Sequence, residues 1–293
     1  IAFSDGTTGI GSCSLSTGTC AISTSALALG THPITAVYEP TGSYGASSSS
    51  ALSQIVQLVT TTTSLTSSVT PSTYGASVSL TATVSPSSVS GTISFSDGTT
   101  GIGTCTLAGG TCAISISSFS VGTHPLMASY AGPTGYAAST SSTLSQVVNA
   151  VTTTTTLTVS PNPVTYGTAV FFSASVSPST SPGTITFSDG TATIGSCTLS
   201  GGSCSISSAT LGAGTRSITA RYLPGTGHAA SVSAATSLVV NQVTTTTTVT
   251  SNAISTTYGS VTFLTVTVSP DLGSMILTSP YQAVTPGMPT APK

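Results

Sequence analysis

The chain has 293 residues, of which 38% are hydrophobic and only 3% are charged, and its formal net charge is −2. This near-neutral balance excludes a basic surface for nucleic acid, and the aliphatic and β-branched content is too high for a disordered chain. No apolar run approaches the roughly 18 to 20 residues that a membrane-spanning helix needs, so we expect no membrane span in this segment.

The sequence repeats with a period of 92 residues. The string Ile1-Ala-Phe-Ser-Asp-Gly returns with one changed residue at Ile93 and again at Ile185. A period of this length matches one small domain and is too long for one turn of a solenoid. We therefore divide the chain into four parts: a partial repeat at 1–59, whole repeats at 60–151 and 152–243, and a C-terminal part at 244–293 that begins a further repeat and ends in a divergent tail.

Alternating aliphatic and hydroxyl side chains predict strands. In the second repeat Val78, Leu80, Ala82 and Val84 alternate with Ser and Thr, which is the period-two pattern of a half-buried strand. In chain order, the strands predicted for this repeat are 60–65, 77–84, 92–96, 102–107, 111–116, 126–130 and 144–148. Seven short strands without helical periodicity indicate an all-β fold, a β-sandwich with Greek-key connections.

The cysteines occupy the same two positions in every copy, seven residues apart. They are Cys13 and Cys20, Cys105 and Cys112, and Cys197 and Cys204. Turn residues lie between the two positions, so the strands of a hairpin would bring the cysteines opposite each other. We predict one cross-strand disulfide per repeat, because free thiols do not explain the constant pairing and two thiolates without a nearby His leave a zinc site incomplete. Disulfides persist in oxidising compartments, so we expect the protein outside the cell or on its surface.

The segments between repeats are rich in Thr. Residues 59–63 and 151–155 contain neither Gly nor Pro, and β-branched side chains favour extended backbone. We therefore expect short, extended junctions and an array of domains arranged as a rod.

The two ends of the chain carry complementary parts of a repeat. Residues 1–59 lack the first two strands of the repeat, whereas residues 243–270 match those two strands. Thr262, Leu264, Val266 and Val268 preserve the core face of the second strand, and this candidate assembly strand needs a partner to bury it. Two explanations remain open. The chain is a window from a longer array, or the tail of one molecule completes the head of the next by strand addition.

The recurring polar residues do not suggest catalysis. His32 and His124 occupy equivalent Gly-Thr-His-Pro segments, and we interpret both as turn residues. Asp5, Asp97 and Asp189 each precede Gly in a tight turn, where an Asp side chain bonds the local backbone. One carboxylate per repeat is fewer than sugar hydrolysis or a calcium site requires. We therefore predict no enzyme activity and no catalytic, cofactor or metal site.

Several strings together resemble the bacterial immunoglobulin-like repeat family of long secreted and cell-surface proteins. They are Thr-Thr-Thr-Thr, Tyr-Gly, Thr-Ala-Thr-Val-Ser-Pro, Gly-Thr-Ile-Ser-Phe-Ser-Asp-Gly and Gly-Thr-His-Pro-Leu-Met-Ala-Ser-Tyr, and the resemblance extends to about Leu277. It implies tandem Ig-like domains in extracellular stalks, adhesins or cell-envelope arrays, without activity of their own. The family often has acidic residues after the strand that ends in Tyr. This chain has Glu39-Pro40, Ala131-Gly132 and Leu223-Pro224 there, so a calcium role does not carry over.

These observations predict a structural extracellular protein, the repeat subunit of a surface filament, fibre or stalk that self-associates into a homopolymer. The alternative is an adhesin or carbohydrate-binding stalk. An adhesin needs a distinct tip domain or exposed aromatic platforms, and aromatic residues make up only 5% of this chain. The Thr clusters either carry O-linked glycans or solvate the sheet surface without modification.

Overall fold

The computed structural model describes residues 1–40, 42–258 and 260–270. Within these ranges the chain forms 25 strands and no helix. Contacts divide it into two compact units. The first contains the first two repeats with short segments of the third, and the second contains most of the third repeat and the strands that follow it. The divergent part of the tail, residues 271–293, lies outside the described residues.

Repeat 1 forms a single sheet. Strand β3 lies at its centre, with β1 on one side, followed by β2, and with β4 and β5 both paired to its other side. The strands are β1 (Ala2–Asp5), β2 (Thr8–Ser12), β3 (Gly30–Tyr38), β4 (Ser47–Ser48) and β5 (Leu52–Val56).

Repeat 2 is a complete two-layered sandwich. One sheet has the order β11-β8-β6, and the other has the order β10-β9-β12-β14-β7 with β13 on β12. The strands are β6 (Thr62–Ser67), β7 (Ser72–Thr73), β8 (Val78–Ser85), β9 (Thr92–Asp97), β10 (Thr100–Thr106), β11 (Thr111–Ile116), β12 (Gly122–Tyr130), β13 (Ser139–Thr140) and β14 (Leu144–Asn149). Each of the seven predicted strands is present, and the predicted β-sandwich is confirmed.

Repeat 3 has the same architecture. Its sheets have the orders β15-β17-β20 and β16-β23-β21-β18-β19, with β22 on β21. The strands are β15 (Thr154–Ser160), β16 (Val164–Thr165), β17 (Val170–Ser177), β18 (Gly183–Asp189), β19 (Ala192–Thr198), β20 (Ser203–Ser208), β21 (Gly214–Pro224), β22 (Ser231–Val232) and β23 (Thr236–Asn241). After it, β24 (Thr246–Ser251) and β25 (Leu264–Ser269) form an antiparallel hairpin.

The core of repeat 2 lies between its two sheets. Leu80 and Ala82 of β8 are fully buried, and Phe95 and Leu126 bury the inner face of the other sheet. This burial confirms the alternation of β8, because every second residue enters the core. Tyr130 is also buried, and its hydroxyl donates a hydrogen bond to the carbonyl of Ser90 at 2.9 Å.

In repeats 2 and 3 the disulfide connects the two sheets at their edges. Cys105 lies on β10 and Cys112 on β11, and these strands belong to different sheets. The predicted hairpin with cysteines on paired strands is therefore wrong in its geometry. The reason is that backbone pairing at this turn is limited to Ala108 and Thr111, after which the chain crosses from one sheet to the other. The structure likewise joins Cys13 to Cys20 and Cys197 to Cys204.

The Thr-rich junction residues are bonded to the repeat that they precede. Val59 N donates to Gly135 O, and Ala137 N donates to Val59 O, both at 2.9 Å. Thr61 Oγ1 adds a bond to Ala137 O. Because β5 ends at Val56, only residues 57 and 58 separate the last strand of repeat 1 from the first bonded residue of repeat 2.

Candidate functional site

The inner face of the larger sheet is covered in repeat 2, whereas the corresponding face in repeat 1 is open among the described residues. In repeat 2, Phe95, Leu126 and Val148 are buried under the sheet that contains β6 and β8. The described strands of repeat 1 all belong to the corresponding sheet, and none of them forms a second layer over it. Its apolar side chains line a groove of about 470 Å³, and Leu52 is 64% exposed. The groove residues that occupy core positions are Phe3, Ile10, Ile22, Ile34, Leu52 and Val56.

Among the described residues, part of repeat 1 also lacks the strand partner that the equivalent segment of repeat 2 has. Residues 19–24 correspond to β11, which pairs with β8 in repeat 2. In repeat 1 residues 20–24 are not a strand, although Cys20 remains bonded to Cys13. The backbone groups of this segment are therefore available to a further strand.

The hairpin of β24 and β25 presents the reciprocal apolar surface. Leu264 and Val266 are 68% and 61% exposed, whereas Leu80 and Ala82 at the equivalent places in repeat 2 are fully buried. Of the other two residues of the candidate assembly strand, Val268 is half-buried and Thr262 lies exposed just before β25. Three of the four residues thus lie at alternate positions of β25, which places them on one face of the strand.

A buried polar network distinguishes repeat 2. Gln146 is fully buried, and its Oε1 accepts a hydrogen bond of 2.6 Å from Ser67 Oγ. Its Nε2 donates to Ser72 Oγ at 3.2 Å and to Val147 O at 3.1 Å. Ser67 and Ser72 lie on β6 and β7, so this side chain links three strands across both sheets.

The same position differs in the other repeats. In repeat 3 it is Leu238, which is fully buried in an apolar core with Val164 and the partly buried Val159. In repeat 1 it is Gln54, which lines the open groove. Among the described residues, Gln54 makes one hydrogen bond, from Nε2 to Ile55 O at 3.1 Å.

Each repeat also contains one ion pair between residues 27 apart in sequence. Asp97 Oδ2 lies 2.6 Å from His124 Nδ1, and Asp189 Oδ2 lies 3.3 Å from Arg216 Nη1. Repeat 1 pairs Asp5 with His32 in the same way. The interpretation of these histidines as turn residues is wrong, because both lie within strands β3 and β12. The constant spacing of 27 residues between an acidic and a cationic residue was the signal in the sequence.

Both imidazole nitrogens of these histidines face oxygen acceptors. His124 Nε2 lies 2.9 Å from Ser120 O, so its two nitrogens meet a carboxylate and a carbonyl. Burial opposes protonation, but the bonds to Ser120 and Asp97 outweigh it and raise the pKa of His124. The bond to Asp5, followed by that to Ala28 O, raises the pKa of His32. Neither nitrogen is left to accept a proton from a nucleophile, so the pair is not arranged as a general base.

Within residues 1–40, 42–258 and 260–270, no group of three or more His, Cys, Asp or Glu side chains is placed to hold a metal ion. The same residues include no helix with the length and apolarity needed to cross a membrane.

Comparison with models of known protein families places these repeats in a family. The profile of the bacterial Ig-like domain (group 3) matches residues 1–57, 65–149 and 157–241. The chain belongs to this family. The three Ig-like repeats account for most of the described strands, and the proposed resemblance is confirmed. No match was found among curated proteins.

Solved structures similar to the chain include further modular proteins. The fibronectin(III)-like modules of Clostridium thermocellum CbhA are 21% identical, with 61% of this chain and 94% of that chain covered and a TM-score of 0.28. The Escherichia coli adhesin FdeC is 19% identical over 70% of this chain and 72% of its own, with a TM-score of 0.28. The Yersinia pseudotuberculosis adhesin InvE is 14% identical over 61% and 58%, with a TM-score of 0.31.

Proposed function

We propose that this Ig-like chain is a structural extracellular protein whose copies join head to tail into a filament. In each junction the hairpin of β24 and β25 from one copy covers the open sheet of repeat 1 in the next copy. The observation that carries the proposal is the reciprocal exposure of core positions, with Leu52 open in the groove and Leu264 and Val266 open on the hairpin.

The hairpin has the register that this role requires. In repeat 2, β6 and β8 pair Thr62 with Ser85 and Ser67 with Leu80. In the hairpin, β24 and β25 pair Thr246 with Ser269 and Ser251 with Leu264, which is the same register 184 residues later. The two strands therefore need no rearrangement relative to each other before they dock. Residues 19–24 would then pair with β25 as β11 pairs with β8.

Apolar burial supplies the driving force for this junction. Val249, Leu264 and Val266 are each more than half exposed in the hairpin. Burying one such side chain fully contributes about 1.5 to 3 kcal/mol, so several of them together support a stable association. With a net charge of only −2 over the chain, repulsion between copies is weak. In a longer chain, segments of a neighbouring repeat with this register would cover the same faces.

An extracellular, non-catalytic role is consistent with the other features. Three disulfides suit an oxidising compartment. The His–Asp pairs hold strand to strand and leave no imidazole nitrogen free for proton transfer. The repeats thus supply spacing and attachment rather than chemistry.

Two variants of the full chain with complementary defects test the junction. The chain with both Leu264→Asp and Val266→Asp has a functional groove but a defective hairpin. The chain with Leu52→Asp has a functional hairpin but a defective groove. We expect each variant alone to be a monomer in analytical ultracentrifugation and an equimolar mixture to form a 1:1 dimer. The unmodified chain should form longer oligomers as its concentration rises.

Matched controls come from the opposite faces of the same strands. Ile55 is 56% exposed and alternates with the groove residues of β5, and Thr265 alternates with Leu264 on β25. Ile55→Asp and Thr265→Asp should therefore preserve oligomers. An unmodified chain that stays monomeric at high concentration, or complementary variants that do not pair, would overturn the proposal.

A further inference from the structure

When repeats 2 and 3 are compared, the side chain at one core position changes from polar to apolar together with the side chains at two positions on other strands. In repeat 2, Gln146 bonds both Ser67 and Ser72. In repeat 3 the three equivalent residues are all apolar, since Leu238 replaces Gln146 and Val159 and Val164 replace the two serines. Each complete repeat is thus internally matched, either with three polar side chains or with three apolar ones.

The hairpin region carries the polar version of this set. Ser251 and Thr256 stand 184 residues after Ser67 and Ser72. Ser251 already has the local geometry of Ser67. Its Oγ lies 2.8 Å from Ala253 O, as Ser67 Oγ lies 3.1 Å from Val69 O.

The groove of repeat 1 contains Gln54, the polar residue equivalent to Gln146. Gln54 makes the same local bond as Gln146, from Nε2 to the carbonyl of the next residue. What Gln54 lacks among the described residues is the pair of hydroxyl partners that Gln146 finds on β6 and β7.

We infer that Gln54 is the specificity-determining residue of the head-to-tail junction and binds the hydroxyls of Ser251 and Thr256 from a second copy of the chain. This inference rests on the proposed function. In the junction the single hydroxyl proton of Ser251 turns from Ala253 O to Gln54 Oε1, as that of Ser67 goes to Gln146 Oε1 at 2.6 Å, and Gln54 Nε2 donates to Thr256 Oγ1. A segment with Val at both places, such as the one that contains Val159 and Val164 in repeat 3, leaves the buried amide without these partners. The groove therefore selects the hairpin at the end of the chain over the equivalent strands of repeat 3.

The physical basis is the cost of a buried polar group without a partner. A buried amide or hydroxyl that loses its partner is desolvated without compensation, whereas replacing all partners by apolar groups of similar shape is nearly neutral. The groove and the hairpin should therefore tolerate a joint change to the apolar set and resist a change on one side only.

The complementary full-length variants described above allow this to be measured. The chain with the functional groove carries either Gln54 or Gln54→Leu. The chain with the functional hairpin carries either the native residues or Ser251→Val with Thr256→Val. We expect both mismatched combinations to bind about tenfold or more weakly than the native pair, and the doubly apolar pair to recover most of that loss. Thr250→Val, one residue before Ser251 on β24, should leave the dissociation constant unchanged.

The outcomes separate this inference from the proposed function. Equal affinity in all four combinations, or losses that add without rescue in the doubly apolar pair, would overturn the specificity of Gln54 while leaving head-to-tail assembly intact. Absence of binding between the native groove and the native hairpin would overturn both. Rescue in the doubly apolar pair, together with loss in both mismatched pairs, would establish the selection.

Discussion

Asp97 and His124 lie 27 residues apart in sequence and are joined by a contact of 2.6 Å between carboxylate and imidazole. The second imidazole nitrogen lies 2.9 Å from the carbonyl of Ser120. Both acceptors favour a protonated ring, so below its raised pKa the His124 side chain links β9 to β12 as an imidazolium. The equivalent contact in repeat 3 uses Arg216, and a guanidinium group stays charged at all pH values near neutrality.

We predict that repeat 2 loses stability as pH rises. The pKa of His124 is raised above its ordinary value of 6.5. A raised folded-state pKa means that the stabilisation is fully present below the unfolded value and disappears as pH rises through the folded value. Titration of the imidazole by NMR should give a midpoint above 6.5, and amide protection of β12 should fall over the same interval. A midpoint at or below 6.5 would contradict the assignment.

Exchanging the cationic residues of the two ion pairs, His124 and Arg216, should transfer the pH dependence of stability from repeat 2 to repeat 3. Arg216→His is expected to make protection of β21 decrease with rising pH, because the new ring faces Asp189. His124→Arg should abolish the decrease in β12, since guanidinium stays charged. The check is hydrogen exchange measured at several pH values and corrected for intrinsic rates. Unchanged profiles in both variants would show that other groups cause the effect.

Gly110 should be far less tolerant of a side chain than its neighbour Gly109. Both have positive φ, at +77° and +60°, so Ala costs about 1 kcal/mol of unfolding free energy at either position. At Gly110 a Cβ atom would also lie 2.8 Å from Ser87 Cα and 2.9 Å from Val84 O, whereas Gly109 has open space. Denaturant unfolding should show a clearly larger loss for Gly110→Ala than for Gly109→Ala. Equal losses would contradict the tight approach.

Removal of one disulfide should destabilise its own repeat. Replacing Cys105 and Cys112 by Ser opens a loop between residues seven apart, which costs about 2 to 3 kcal/mol on the chain-entropy model. Because the bond joins the edges of the two sheets, we expect exchange to increase mainly in β10 and β11. The matched control is the same double replacement at Cys197 and Cys204, which should affect β19 and β20 instead.

The polar network of repeat 2 provides an independent check of the matching rule. Gln146→Leu should cost about 1 to 3 kcal/mol of unfolding free energy, because Ser67 and Ser72 lose their buried partner. Adding Ser67→Val and Ser72→Val reproduces the apolar set of repeat 3 and should recover most of the loss. Denaturant unfolding of the single and triple variants measures both effects. A triple variant no more stable than Gln146→Leu would refute the rule.

Local patterns in the sequence were sufficient for the seven longer strands of repeat 2 and its two-layered fold, but not for the two-residue strands β7 and β13. Alternation in β8 predicted burial of Val78, Leu80, Ala82 and Val84 because the pattern depends only on neighbouring residues. The same local patterns did not predict which strands pair with each other. Cysteines seven apart look like a hairpin in sequence, and only the sheet order shows that Cys105 and Cys112 belong to different layers.

The ion pairs and the network around Gln146 were missed for a related reason. Asp97 and His124 are brought together by the pairing of β9 with β12, and Gln146 meets Ser67 across 79 residues of sequence. Such contacts depend on tertiary structure. Both nevertheless leave a trace that comparison of the repeats reveals. The acidic and cationic residues keep a spacing of 27, and the three residues of the network change together between repeats 2 and 3.

The parallel pairing of β7 with β14 has a mechanical consequence. Ser72 faces Val148, and Tyr74 N donates to Asn149 O, so a segment near the beginning of repeat 2 lies alongside its last strand. Tension applied through the neighbouring repeats pulls these two segments in opposite directions along their length. Their hydrogen bonds are then loaded in shear and must break together. Val164 and Val240 form the same arrangement in repeat 3. Repeats 2 and 3 thus each resist stretching at the point where the pulling force would enter and leave them.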